Sequence, residues 1–467
     1  MPADTTAAAS GGNPVLGIIV ILVVAALLMY TVYKGLDSMI ACCIAACLVA
    51  LGCGLNVYDT MMGTFWDNAL NIVANMGFCL LLSILLGQIY LRSGAAESIG
   101  MLFERLFARA VDDPLKIKMR TAYTFYGVIL VLCLCGMNAY VASFCLIPMG
   151  FSMFKKADMP RSQVPGMLAS ALSIAACCPG TPLYTNVLAS TFFGTTSTAA
   201  LIPGLCGVLA MLILALFWIR SFVRKNHRCG LGYVEPEAPG IGAPPAPPVD
   251  AASARRMPNP YLALIPLVLN VVFYGFVGWA IEPTLLVTIL ISLILFFPYF
   301  KAPEERLSVR PYNLLMAMTT VAACPVILMM AAQMGYAGVV SSTSAFGMMI
   351  GVFQSIPLPS HIGFGIFAAL SGFLCGDSIA GLAMSSAVYL PQAANIGMSA
   401  EAMHRIALFA VSILDTIPIC GGVIAMLKAA NMTHKEGYGP IFRTSVVYPF
   451  VGMVVCIAVC MLVPAFH

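Results

Sequence analysis

Long apolar runs dominate the chain, separated by short polar stretches or by clusters of glycine and proline. Many of these runs reach the ~18–25 residues that cross ~30 Å of hydrocarbon as a helix, and the ten-residue alternation of a membrane barrel is absent. The pattern predicts crossing helices over 14–33, 38–57, 68–92, 163–190 and 198–222, then over 260–280, 282–300, 312–333, 403–430 and 441–465. The first run, from Pro14 to Tyr33, lacks a basic start and a small-residue cleavage motif, so it reads as a retained helix and not as a signal peptide.

Two apolar stretches do not fit a simple crossing. Residues 121–150 are interrupted by Gly136, Asn138 and Pro148, and residues 362–395 by Gly376, Asp377, Gly381 and Pro391. Each reads as a re-entrant helical hairpin. Basic residues test this: Arg92 to Arg120 precede the first hairpin and Lys155, Lys156 and Arg161 follow it, so both flanks belong on the cytoplasmic side. With an outside N-terminus and both hairpins re-entrant, 22 of the 23 Lys and Arg residues fall inside, leaving only Arg405 outside.

The same topology divides the chain into a first repeat over 1–222, a cytoplasmic linker over 223–258 rich in Pro, Ala and Gly, and a second repeat over 259–467. The halves share an element order with opposite orientation, an inverted repeat. The expected fold is an all-α polytopic membrane protein with two inverted-topology repeats, about ten crossing helices and two re-entrant hairpins. It would sit in a bacterial inner membrane with both termini periplasmic.

Composition sharpens this reading. With 61% hydrophobic and 9% charged residues, the chain has too little polar surface to cover a water-soluble globule. Nucleic acid is not an expected partner. The 17 cysteines lie mostly inside apolar runs without zinc-like pairing to His, which fits small packing residues better than metal ligands or disulfides. All five histidines are assigned to loops or ends, so neither a metal site nor a cofactor is expected.

Irregular backbone at membrane depth survives only where protein or a wet cavity satisfies it. Four breaks qualify: the hairpin tips at Gly136 to Tyr140 and at Gly376 to Gly381, and helix breaks at Pro179, Gly180, Thr181, Pro182 and at Asp415, Thr416, Ile417, Pro418 followed by Gly421 and Gly422. A broken helix offers free amides to an anion and free carbonyls to a cation. Asn138, Thr181, Thr185, Asn186 and Ser378 add neutral donors and acceptors, with no lysine or arginine assigned to that depth. Gly136, Gly180, Gly376, Thr416, Gly421 and Gly422 complete the expected substrate site. Asp377 and Asp415 are the carboxylates placed there, either as proton or cation relays or, for Asp415, as a half-helix cap.

The stretch from Leu414 through Asp415, Thr416, Ile417, Pro418, Ile419, Cys420, Gly421 and Gly422 to Asn431, Met432, Thr433 and His434 resembles the C-terminal signature of the gluconate permease family. Pro179, Gly180, Thr181, Pro182 and Asn186, followed by Gly194, Thr195 and Thr196, look like that family's other broken helix. The resemblance implies the fold of the wider ion transporter superfamily: a homodimer whose hairpin-bearing domain moves as an elevator, importing gluconate, a hydroxybutyrate or another small carboxylate with protons. Two departures stand out. Ile419 and Cys178 occupy positions where the family commonly has His, which favours a shorter or less hydroxylated acid. Sodium coupling on the same architecture is the alternative; a passive channel or a membrane enzyme fits the hairpins and the missing catalytic set less well.

Overall fold

The structure, a computed structural model, describes residues 14–34, 36–106, 113–137, 139–234, 257–300, 310–355, 357–375, 378–416 and 421–463. Asn138, Gly376 and Asp377 lie outside the described residues, and of Asp415 only the backbone is described. No strand occurs among the described residues.

The first half opens with α1 (Pro14–Tyr33), α2 (Ser38–Gly52) and α3 (Trp66–Ser93), followed by α4 (Ala95–Leu106). Then come α5 (Pro114–Leu134), α6 (Ala139–Lys156), α7 (Val164–Cys177), α8 (Tyr184–Phe193) and α9 (Leu201–Arg228). The second half begins with α10 (Pro260–Val271), α11 (Ile281–Phe296), α12 (Arg310–Ser341) and α13 (Ser344–Ser355). It ends with α14 (Ser360–Cys375), α15 (Ser378–Tyr389), α16 (Ala400–Asp415), α17 (Gly421–Ala429), α18 (His434–Phe442) and α19 (Tyr448–Leu462).

Local chemistry sets many of these boundaries. Asp37, Asp113 and Asn259 each accept a backbone amide of the helix they start, and Pro114 and Pro260 follow at the first helical position, where a missing N–H costs nothing. Gly194, in the left-handed region at φ 63°, closes α8. Thr433 and Glu436 form a reciprocal capping box that opens α18.

Six helical stretches among the described residues are long and apolar enough to cross a bilayer: α1, α5, α9, α11 with its C-terminal turn, most of α12, and the run from α18 through α19. A further pair, Val57–Asn75 and Gly77–Tyr90, is bent by 49°. The remaining expected crossings are shorter or interrupted. Thus α2 stops at Gly52, before Gly54 at φ 73°, and Asn56 restarts the chain by accepting the amides of Tyr58 and Asp59. The stretch expected to end at 333 instead runs to Ser341, and α13 follows it without having been anticipated. On the polar side, Asp158 accepts the Tyr233 amide at 3.0 Å and lies 3.4 Å from Lys118, and these two partners hold its carboxyl below the usual range.

The stretch 362–395 folds as two packed helices, α14 and α15, and their approach is set by glycine. A Cβ on Gly381 would stand 2.6 Å from both Cα and N of Gly372, where only backbone is available to move. Gly381→Ala is therefore expected to force the arms apart and cost about 1–3 kcal/mol, read as an earlier thermal transition of the purified protein in detergent.

Candidate functional site

The two breaks of the first half meet. α5 ends at Cys135, and Gly136 turns the chain at φ 90° so that a Cβ there would lie 2.8 Å from Pro182 Cγ and 3.1 Å from the Pro182 carbonyl oxygen. Asn270 of α10 donates through Nδ2 to the Cys135 carbonyl at 3.0 Å and so fixes this tip from the second half. Pro182 belongs to the non-helical stretch between α7 and α8. There Cys178 is extended, as a residue before proline prefers, and Gly180 turns at φ 79°.

Opening a helix frees carbonyls, and one side chain gathers the Cys177 carbonyl at the end of α7 together with two from the α8–α9 connection. Arg405 of α16 is fully buried. Its Nε donates to Ala199 O at 3.0 Å; Nη1 donates to Cys177 O at 3.1 Å and Asn186 Oδ1 at 3.3 Å; Nη2 donates to Ser197 O at 3.0 Å and Ala199 O at 2.8 Å. All five guanidinium donors are thereby used. These bonds also brace Ala200, which sits at φ 44°, a left-handed conformation uncommon for a residue with a Cβ.

The neighbouring side chains close this clasp with a consistent hydrogen-bond order. Asn186 donates through Nδ2 to Thr181 O at 2.9 Å and Ser197 O at 3.2 Å, leaving Oδ1 to accept from Arg405 and from His404 Nε2 at 3.3 Å. With its proton on Nε2, His404 accepts the Thr195 hydroxyl at Nδ1, 2.6 Å away. The Thr181 hydroxyl is directed back to Ala175 O at 2.8 Å.

Three sequence expectations are corrected here. Arg405 is not an external loop charge, and an arginine does lie in the protein interior. His404 and His361 are buried within α16 and α14, not in loops. The reason is common to Arg405 and His404: the expected helix was started at residue 403, yet Ser399 caps the helix by accepting the Ala402 amide, which places both a full turn inside it; His361 is the second residue of α14.

Beside the clasp lies a cavity of about 90 Å³ whose walls draw on all four breaks. Ala139 begins α6, Tyr184 and Thr185 begin α8, Ser378 begins α15 and Gly422 stands at the start of α17. Residues at the N-termini of four helices, the positive ends of their dipoles, therefore line one space. Leu183, preceding α8, supplies no side-chain cap to the amides there. Small and apolar residues of α7 (Ala169, Leu172, Ala176) and α17 (Val423, Met426) fill the rest of the wall, with Ser173 and Ser412 as further hydroxyls. Thr416 closes one end; its hydroxyl donates to Ser445 O at 3.2 Å and its carbonyl accepts from Tyr438 at 3.1 Å.

Of the expected binding residues that are described, Thr185, Ser378, Thr416 and Gly422 line the cavity, while Gly136, Gly180, Thr181, Asn186 and Gly421 do not. The sequence reading missed Gln333 and Met329, contributed by α12. Gln333 carried a signal, an amide inside an apolar run, which is costly unless it has a task. Two buried atoms in the lining, Thr185 Oγ1 and Gln333 Oε1, have no hydrogen-bond partner.

Comparison with known proteins bears on the family and the fold. Residues 15–235 match the family described as GntP family permease, a range that holds the first hairpin and the first broken helix. The C-terminal stretch 414–434 lies beyond that match. A Bacillus subtilis (strain 168) protein described as "Uncharacterized transporter YxjC" is 24% identical over 471 residues, covering 92% of this chain and 96% of its own length. The crystal structure of the Alcanivorax borkumensis YdaH transporter superposes with a TM-score of 0.52 over 95% of this chain and 97% of that one, at 14% identity, so the likeness is one of fold. The expected family resemblance is borne out, and the chain is a transporter and not an enzyme.

Proposed function

We propose that this chain is a transporter of the GntP permease family and a secondary carrier that imports a small organic anion with protons. One observation carries the reading: four helix N-termini converge on a cavity whose described walls hold no charged side chain. Backbone amides and positive dipole ends in an interior site favour a carboxylate without the cost of a buried lysine or arginine. The cavity's size favours a compact cargo. A four-carbon hydroxy acid suits that space better than a six-carbon sugar acid.

The inverted-repeat topology belongs to the same proposal, with both termini periplasmic in a bacterial inner membrane. Placing Arg405 in the interior supports it, because the one basic residue that broke the positive-inside pattern is no longer a loop charge. The hairpin-bearing helices would move as an elevator within a homodimer. Proton coupling falls to Asp377 or Asp415, the carboxylates beside Ser378 and Thr416 of the cavity wall. Arg405 engages the Cys177, Ser197 and Ala199 carbonyls, which removes these three as ligands for a sodium ion.

Uptake of labelled 3-hydroxybutyrate and gluconate into proteoliposomes tests this, with proton and sodium gradients imposed separately. The expected result is proton-driven accumulation, stronger for the shorter acid, that is lost in Asp377→Asn or Asp415→Asn. Accumulation driven by sodium, or by protons in both variants alike, would sink the coupling assignment; no uptake of either acid would sink the cargo assignment.

A further inference from the structure

The helices sort into two packing groups. In one, α12 lies along α2 and α3, α11 against α3, α1 against α2 and α13, and α10 against α4 and α11. In the other, α14 lies along α15 and α16, α9 along α19, and α5, α6 and α18 against α7, with α17 against α6. The cavity is built by the second group except at one wall, where Met329 and Gln333 reach in from α12 of the first. It therefore lies on the seam between the groups.

Gln333 is 4% exposed, and its Oε1 has no partner. A buried amide in an apolar helix whose acceptor no protein group meets is costly to keep there, and a methionine of similar length would suit the position better if packing were its only task. Across the same cavity Thr185, 6% exposed, also has a free hydroxyl. These two unmet groups face a space ringed by helix N-termini, one from each side of the seam. A hydroxy acid answers both needs: its carboxylate suits the amides, and its hydroxyl suits a side-chain amide and a threonine.

We propose that Gln333 recognises the hydroxyl of the bound acid from the stationary side of the seam, and so strengthens binding in only one of the two transport states. This rests on the carrier reading above. When the second group slides past the first, Thr185 travels with the ligand and Gln333 stays behind. A contact made in one state alone biases the equilibrium between states and the affinity seen from one face of the membrane. Thr185, contacting the ligand in both states, sets the affinity on both faces.

Half-saturation for 3-hydroxybutyrate, measured separately from each face in right-side-out and inside-out vesicles, tests the assignment. Gln333→Met is expected to raise it about tenfold on one face, the worth of one good hydrogen bond, and to leave the other within about twofold of wild type. Thr185→Val is expected to raise it on both faces. The ligand-free melting temperature of Gln333→Met should match or exceed wild type, which separates lost recognition from lost folding. A change on both faces equally, or on neither, with wild type still transporting, overturns the role of Gln333 alone. Absence of 3-hydroxybutyrate transport by wild type overturns the cargo reading and this inference with it.

Discussion

Arg405→Met is expected to yield no stable folded protein. The substitution removes five hydrogen-bond donors and strands the carbonyls of Cys177, Ser197 and Ala199 in the interior. Each stranded acceptor costs about 1–3 kcal/mol, so three or more approach the ~5–15 kcal/mol by which folded proteins are stable. Ala200 loses its brace as well, leaving its left-handed backbone unsupported. Arg405→Lys should be less severe: it keeps the charge but brings at most three donors without the planar fork, so it leaves at least two of the five bonds unmade. Fluorescence-detected size exclusion of detergent extracts gives the readout. The expected order is a single sharp peak for wild type, a diminished peak for the lysine variant and aggregate for the methionine variant. A monodisperse methionine variant that cannot transport would show instead that the guanidinium acts in the transport cycle and not as a structural clasp.

Position along the chain explains why the sequence disclosed the breaks but not the clasp. Pro179, Gly180 and Pro182 interrupt an apolar run, and glycine and proline act on their own backbone, so their effect can be read locally. The same holds for Gly136, whose positive φ is a property of one residue. Arg405 differs because its partners lie 206 to 228 residues earlier in the chain, and nothing near it signals them. Read locally, a charged residue soon after Glu401 at the edge of an apolar run belongs to a loop. Helix geometry misled in a second way: α12 was expected to end at 333, so Gln333 was placed at a terminus and the signal of an amide within an apolar run went unused. Only the continuation to Ser341 places it within the helix, in the same cavity wall as Thr185. The cavity itself was anticipated in outline, since irregular backbone in a bilayer needs an interior partner. Which side chains face it depends on helix rotation, and that is set by packing among distant segments.

Gly136→Ala tests whether the meeting of hairpin tip and broken helix matters for transport. The new methyl would be penalised twice. A left-handed φ of 90° costs a residue with a Cβ about 1–2 kcal/mol, and the methyl would stand 2.8 Å from Pro182 Cγ and 3.1 Å from the Pro182 carbonyl oxygen. Relief requires the tip and the break to part. Moving Pro182 shifts Leu183, Tyr184 and Thr185, the segment that presents the α8 N-terminus to the cavity. The expected result is a loss of uptake of more than tenfold, larger than the fall in the amount of folded protein, because the site is displaced while the helices on either side remain packed. Pro182→Ala in the same chain removes the ring carbon at 2.8 Å but not the carbonyl at 3.1 Å or the φ strain. It should therefore restore uptake only in part. Such partial recovery, absent when Pro182→Ala is made alone, would be the non-additivity of two groups in contact. Equal uptake per folded molecule in Gly136→Ala and wild type would show that the tip can move without disturbing the α8 N-terminus, and the cavity would then have to be organised from the second half alone.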